Sequence, residues 1–227
     1  KAPIMDNVIY FDGTVASDPA NEKFLHNEFG VNYRFGKLGI NASAYNTDWQ
    51  DRNLTKSVTT GQGDSGDTDV IFLTGVNQKH SGVELETNYM VNDMLDLMFV
   101  ASFGNWKFDG DANGNYQETE YNSEGQAVGY TTTEYAYALD GLYVGDMPQT
   151  SYVLGVTLKP IKDLRIQAIH KMYDKNYSDW SPSAREFDGT NDDADRAQVW
   201  EAPGYSKLDL HMSYKLPKVK GLDMTLN

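Results

Sequence analysis

Residues 28–52 contain two runs of alternating residues with a two-residue link between them, and this pattern constrains the fold more than any other feature. Side chains alternate between the two faces of a β-strand, and a short link that contains glycine is typical of a hairpin. The runs therefore predict two antiparallel strands joined by a tight turn at Gly36-Lys37. One face of the pair is apolar, and it comprises Phe29, Val31, Tyr33, Phe35, Leu38, Ile40, Ala42 and Ala44.

The remainder of the chain repeats this pattern of alternating runs and shows no helix-period segment of convincing length. Short links lie near Gly36, Asn92, Ile161 and Val219. Long polar links alternate with them, near residue 61, at residues 105–148 and at residues 181–202. Two weak strand runs inside residues 105–148 predict a hairpin that stands out from the sheet. The pattern as a whole predicts an all-β antiparallel meander with short turns at one end and long loops at the other.

Composition excludes several classes of protein. The formal net charge of −14 and the pI of about 4.5 disfavour nucleic-acid binding, because such a chain repels phosphate. There is no cysteine, so disulfides and thiolate metal sites are excluded. No apolar run approaches the roughly 18 residues of a membrane helix. The mean hydropathy of −0.57 is compatible with a membrane β-barrel, because only alternate residues of each strand face lipid.

Two observations favour a membrane barrel over a soluble sheet. Each strand carries four or five apolar positions on one face, which matches a membrane-spanning strand of roughly 9–11 residues. Aromatic residues also recur at strand boundaries, as in the girdles that lie at the level of lipid headgroups. The alternative is a soluble β-sandwich that binds a ligand, in which the apolar face would form a packed core.

Four segments resemble the later barrel strands of TonB-dependent outer-membrane receptors of the Bacteroidetes type. They are residues 28–52, residues 75–86, residues 141–150 before a strand, and residues 205–210 near the end. Each motif is weakly specific alone, but their order and spacing together cover nearly the whole chain. The resemblance implies a 22-stranded barrel filled by an N-terminal plug. It also implies transport driven by the TonB complex.

The resemblance sets the expectations for function. Residues 1–227 would form part of the receptor's barrel domain, with about eight or nine strands, and the plug and the final strands would lie outside this sequence. The receptor would take up a large nutrient, such as an iron chelate, cofactor, glycan or peptide, through the outer membrane of a Gram-negative bacterium. Its partners would be membrane lipid, the TonB complex through the missing N-terminal region, and an extracellular ligand. A passive porin or a surface adhesin is the alternative.

Catalytic motifs are missing from the sequence. The four histidines are scattered, and His80-Ser81 lie on opposite faces of a strand. No phosphate-binding loop, HExxH motif or nucleophile elbow occurs. We therefore expect no enzymatic activity and no required cofactor.

Residues 109–120 fit the calcium-loop pattern D-x-[DN]-x-[DN]-G-x5-E. Oxygen donors at these positions suit a hard cation such as calcium. No helices flank the pattern, so a solvated acidic turn is the alternative. The candidate calcium ligands are Asp109, Asp111, Asn113, Asn115 and Glu120.

Two further groups of residues are candidates for ligand contact. Loop aromatics could stack on a ligand, or could pack loop against loop: they are Trp106, Tyr116, Tyr130, Tyr135, Tyr137, Tyr143 and Trp180. Polar residues opposite the apolar face would line the lumen of the barrel. They could contact the plug or the substrate, or simply be satisfied by water: they are Arg34, Asn41, Glu84, Glu86, Arg165, Asp209 and His211.

Overall fold

The computed structural model describes residues 2, 4–10, 12–15, 20–59, 68–187, 194–216 and 223–226, and these form one 12-stranded antiparallel sheet. Two single-turn 3₁₀ helices, Met5–Asn7 and Pro182–Ala184, accompany the sheet. None of the described helices is long and apolar enough to cross a membrane. The strands are β1 Lys23–Phe35, β2 Leu38–Thr59, β3 Thr68–Asn92, β4 Leu95–Phe108, β5 Ala112–Tyr121, β6 Ala127–Tyr137, β7 Pro148–Leu158, β8 Leu164–Tyr177, β9 Glu186–Phe187, β10 Glu201–Ala202, β11 Tyr205–Lys215 and β12 Asp223–Leu226.

Eight of these strands form a continuous wall in the order β1-β2-β3-β4-β7-β8-β11-β12, each antiparallel to the next. Short turns after Phe35, Asn92 and Leu158 lie at one end of the wall. The longer links, which contain the remaining strands, lie at the other end. The predicted antiparallel meander is therefore confirmed, and its eight wall strands fall within the predicted eight or nine.

Strand register separates the wall into two chemically different faces. Ala42, Leu85, Ala101 and Tyr152 lie side by side on four neighbouring strands and belong to the apolar face. The side chains of this face are largely exposed, and Phe29 keeps 74% of its surface accessible. Within the described part of the chain, no second sheet covers this face. The sheet is thus a single layer and not one half of a sandwich.

Register partners on neighbouring strands form rows that run across the wall. The band of apolar side chains does not follow one such row from strand to strand. The row that contains Phe103 on β4 continues to Thr150 on β7 and to Asp174 on β8, where it is polar. At the opposite end of the wall, Ile166 and Met212 extend the apolar band by another row. Rows of hydrogen bonds run perpendicular to strands, so a level membrane cuts across rows wherever strands are tilted. The stepwise shift is therefore expected of a tilted barrel wall.

The long strand β3 changes partner halfway along its length. Its lower part, from Gln78 to Asn92, pairs with β4, whereas Val70–Thr74 pairs with β5. Gly75 lies at the junction with a φ of +67°, and Asp51 on the adjacent strand has a φ of +56° at a break in register. Positive φ values at such irregularities are typical of β-bulges that re-aim a strand. The hairpin of residues 105–148 thus extends the sheet alongside β3, which corrects the prediction that it stands out from it.

The upper parts of β2 and β3 form, with β5 and β6, a layer that we call the extracellular layer. One face of this layer packs against the links that follow β6 and β8. The buried residues of this core are Ile71, Leu73, Val76, Phe108, Ala112, Tyr137, Leu139, Leu142, Tyr177, Trp180 and Val199. The other face is contacted by the N-terminal segment, in which Tyr10 packs on Phe72 with ring centroids 4.7 Å apart. The long links are therefore a folded layer with a core of its own.

Candidate functional site

The seven side chains predicted to line a lumen lie on one face of the wall, which we call the polar face. Asn41 and Glu86 are direct register partners, and Arg34 shares a row with Asp209 across the wall. The other three, Glu84, Arg165 and His211, follow the same alternation along their strands. The structure thus brings all seven to one surface, and their contact with a plug or substrate stays a prediction.

Charge on the polar face differs between the side formed by β1–β3 and the side formed by β8 and β11. Lys171 and Lys207 lie directly opposite each other on β8 and β11, and Asp209 contacts the Nζ atoms of both at 3.1 and 3.0 Å. Two like charges in register repel each other, so the intervening carboxylate offsets that cost. On β3, Glu84 and Glu86 carry negative charge, and Glu86 accepts a hydrogen bond of 2.7 Å from Asn88. The β3 side of the polar face is therefore acidic, and the side formed by β8 and β11 is basic. We call these two sides its acidic and basic ends.

An aromatic cluster occupies the polar face just below the extracellular layer. His26, Thr47, His80 and Trp106 form one row across four strands, and Tyr45 lies two rows below, at the next position of β2 on the same face. The Trp106 indole Nε1–H donates to the Tyr45 hydroxyl at 2.9 Å. His80 stacks on Trp106 with ring centroids 5.6 Å apart and planes 19° apart. We call Tyr45, Trp106, His26 and His80 the aromatic platform.

Two glycines let the central rings of the platform lie flat on the sheet. A Cβ atom at Gly82 would lie 2.5 Å from the Tyr45 hydroxyl, and one at Gly104 would lie 2.9 Å from the Trp106 ring. Any larger residue at either position would push a ring away from the wall. Sequence analysis missed His26, Tyr45 and His80, although the alternation of their strands places them on the same face as Glu84.

A depression of about 440 Å³ adjoins the platform on the side away from the extracellular layer. Its lining includes four register partners on neighbouring strands, Gly30, Ser43, Glu84 and Ser102, three of which have small side chains. Glu28 and the amide side chain of Asn41 also line it. The platform and the depression together combine flat aromatic rings with carboxylate, amide and hydroxyl groups.

The predicted loop aromatics do not form one exposed surface. Tyr137 and Trp180 are 0% and 5% exposed, and their rings pack 5.8 Å apart inside the core of the extracellular layer. Tyr116, Tyr135 and Tyr143 pack partly against the same core. For these five residues, the alternative of loop packed against loop describes their environment. An aromatic residue in a long loop is buried here because the loop folds back on the sheet.

Two of the predicted loop aromatics lie elsewhere. Trp106 is a strand residue of β4 and belongs to the aromatic platform. Tyr130 lies on β6 and keeps 40% of its surface accessible. These two of the seven do not belong to the core of the extracellular layer.

The predicted calcium ligands do not converge on one point. Asn113, Asn115 and Glu120 lie on strand β5, and seven residues of strand separate the first from the last by about 23 Å. Asp109 instead pairs with Lys79 at 2.7 Å. Asp111 pairs with Arg196 at 2.8 Å. The twelve residues therefore do not form a calcium loop, and the described residues contain no other cluster of three or more His, Asp or Glu side chains that could hold a metal.

Ionisation of the extracellular layer follows from these contacts. The guanidinium of Arg196, aided by two backbone amides, holds the pKa of Asp111 below its usual range against the opposing effect of burial. Burial, together with a hydrogen bond to Asp69, raises the pKa of Tyr116. The layer thus keeps Asp111 charged and Tyr116 neutral at neutral pH, as their hydrogen bonds require.

Comparison with known proteins identifies the wall. The sequence matches the model of a family described as TonB dependent receptor-like, beta-barrel, over residues 6–227. No curated protein matches it significantly. Among solved structures, a chain titled Copper transporter OprC is similar, with a TM-score of 0.58 and 17% identity over 92% of this chain and 26% of that one. At this identity the likeness concerns the fold alone. Because the family model spans nearly the whole sequence, the chain belongs to the TonB-dependent receptor β-barrel family.

Proposed function

We propose that the chain is one part of the barrel wall of a receptor that imports a nutrient with energy supplied through TonB. Its family places it in the outer membrane of Gram-negative bacteria. The observation that carries the proposal is the two-faced single-layer wall, which has a bare apolar face and a polar face below a folded extracellular layer. A surrounding lipid phase stabilises an exposed apolar face of this kind.

The proposed mechanism involves no covalent step. The extracellular layer and the upper polar face would capture the ligand from outside. A plug domain, supplied by a part of the protein beyond this sequence, would close the lumen until the TonB complex displaces it. The acidic and basic ends of the polar face would contact the ligand or the plug through charge. Membrane lipid and the TonB complex are thus the proposed partners.

Uptake by the complete receptor tests this proposal. The gene would be deleted in its host, and import of four labelled probes would be measured: a ferric hydroxamate chelate, cobalamin, a neutral oligosaccharide and an oligopeptide. We expect one probe to depend on the receptor gene and equally on tonB, with import restored by a plasmid copy. Receptor-dependent import that persists without tonB would identify a passive porin instead. If no probe depends on the gene, nutrient import is the wrong function.

A further inference from the structure

We infer that the aromatic platform and the depression beside it form a binding subsite for neutral saccharides. The inference rests on the proposed function, because the site would be reached from outside the cell as ligands enter the barrel. It adds the chemical class of the ligand and the residues that recognise it. The geometry of the rings and the nature of the surrounding polar groups carry it.

The platform offers a flat aromatic surface that is fixed in place. Tyr45 and Trp106 lie against the wall because Gly82 and Gly104 leave room beneath them. The bond from the Trp106 indole to the Tyr45 hydroxyl joins the two rings at 2.9 Å. His80 stacks on the Trp106 ring, and both side chains are half-buried, so the surface needs little ordering when a ligand arrives.

Flat rings of this kind suit the apolar face of a sugar ring. A pyranose presents C–H groups on one side of the ring and hydroxyl groups around its edge. Aromatic side chains provide apolar contact area together with polar tips, which fits such a ligand. The Trp106 indole donates to the Tyr45 oxygen, so the hydroxyl hydrogen of Tyr45 is left to bond an oxygen of the ligand.

The depression provides the polar half of the site. Tyr45 and Ser43 are consecutive residues on the polar face of β2, which separates their rows by about 7 Å. Glu84 is the register partner of Ser43, and Glu28 is that of Tyr45. Carboxylates accept strong hydrogen bonds from hydroxyl groups, and Ser43 can both donate and accept. A ring stacked on Tyr45 therefore has acceptors for its hydroxyl groups at its edge.

Charge around the site separates saccharides from other ligands. The carboxylates of Glu28 and Glu84 repel phosphates and acidic ligands. The neighbouring residues 105–147 contain eight carboxylates and one lysine. Asp109 and Asp111 are paired with Lys79 and Arg196, and the other carboxylates of this segment add to the repulsion. The described residues of this site do not include three side chains that could hold a metal. A neutral, hydroxyl-rich ring satisfies both the aromatic surface and the acceptors.

Binding by the purified full-length receptor tests the inference. The probes are maltoheptaose, cellohexaose, xylohexaose and chitohexaose, with spermidine as a cationic comparison. Binding of each probe would be measured by calorimetry and by tryptophan fluorescence. We expect one oligosaccharide to bind and to change the tryptophan emission. Glu84→Gln, which keeps the shape of the side chain, should weaken binding about ten-fold through the loss of one charge-assisted hydrogen bond. Trp106→Ala should weaken it at least as much.

Two controls separate a lost contact from a misfolded wall. Tyr205→Ala removes an exposed aromatic side chain from the same face but from β11, so binding should stay as in the wild type. Each variant would also be checked for heat-modifiable migration, which reports a folded barrel. The inference is wrong if no oligosaccharide binds, if Glu84→Gln and Trp106→Ala bind as the wild type does, or if spermidine binds in place of the sugars.

Failure here is distinguishable from failure of the proposed function. A receptor that imports a chelate or a peptide in a tonB-dependent manner, without binding any sugar, would keep the proposed function and overturn the subsite. A receptor that binds an oligosaccharide through Trp106 and Glu84, but whose import ignores tonB, would keep the subsite and overturn energy-coupled import.

Discussion

Arg196 donates two hydrogen bonds to the Asp111 carboxylate, with Nη1–Oδ1 and Nη2–Oδ2 distances of 3.2 and 2.8 Å. The pair joins two links of the chain that are 85 residues apart. Asp111 Oδ1 also accepts hydrogen bonds of 3.0 Å from the backbone N–H groups of Leu139 and Asp140. One carboxylate therefore connects the start of β5, the end of β6 and the link before β10.

Loss of this carboxylate should loosen the extracellular layer more than loss of its cationic partner. We expect Arg196→Ala to lower local stability by about 1 kcal/mol or less, because both side chains are partly exposed. Asp111→Ala should cost about 1–3 kcal/mol, because it leaves two backbone donors without their acceptor. Hydrogen exchange of residues 139–142 in the full-length receptor measures the difference. The exposed Glu124→Ala is the control, and equal effects of the two main variants would contradict the arrangement.

Acid should release the same contact. The pKa of Asp111 is lowered in the folded state, chiefly by Arg196, from an unfolded value of about 3.9. Stability from a lowered carboxyl pKa is fully present above the unfolded value and is lost as the pH falls through the folded value. Exchange of residues 139–142 should therefore be steady from neutral pH to about 5 and accelerate below about 4, after correction for intrinsic rates. A receptor carrying Asp111→Ala should lack this acid-induced component, and an identical profile in both proteins would refute it.

Asp111 also shows where sequence patterns lose their predictive power. Residues 109–120 match a calcium loop in residue type and spacing, but most of them form strand β5. The strand forms because Val70–Thr74 of β3 offers it an edge to pair with, and that partner lies about 40 residues away in sequence. A local pattern contains no information on such a long-range pairing. Tyr137 and Trp180, which the sequence left as candidates either for ligand contact or for packing between loops, are buried in the core of the extracellular layer.

The face of the sheet on which each side chain lies could be predicted from the sequence, because it depends on local alternation alone. Alternate residues of the first hairpin were assigned to an apolar set and a polar set, and the register of the wall keeps these sets on opposite faces. The same alternation places His26, Tyr45 and His80 on the polar face. Their assembly into a platform could not be predicted, since it depends on Gly82 and Gly104 lying beside Tyr45 in the register. Alternation thus predicts which face a residue occupies, whereas register determines its neighbours.

The buried pair Tyr137 and Trp180 should affect folding of the extracellular layer and not ligand contact directly. The Tyr137 hydroxyl is buried and has no hydrogen-bond partner among the described residues. Tyr137→Phe should therefore be neutral or stabilise the layer by up to about 1 kcal/mol. Trp180→Ala should destabilise it by about 3–5 kcal/mol, because it leaves a cavity in the core.

The effect of both substitutions would be measured as the rate of protease cleavage within residues 105–147 of the full-length receptor. Trp180→Ala should be cleaved faster than the wild type, and Tyr137→Phe should be cleaved at the wild-type rate or more slowly. A strong loss of ligand binding in Tyr137→Phe with unchanged cleavage would show that the hydroxyl contacts a ligand after all.

A single pair of neighbouring substitutions tests the assignment of the two faces. Ile40 lies on the apolar face and Asn41 on the polar face, and both are in the part of β2 that pairs with β1 and β3. Ile40→Arg would place a charge against lipid, at a cost that is about 2–4 kcal/mol at the middle of the membrane and smaller towards its interfaces. Asn41→Arg places the same charge beside Glu86, its register partner, where it is solvated and attracted. We expect Ile40→Arg to reduce the folded, heat-modifiable receptor in the outer-membrane fraction, and Asn41→Arg to leave it near the wild-type amount. Equal yields would mean that the two faces are assigned the wrong way round or that this part of β2 lies outside the membrane.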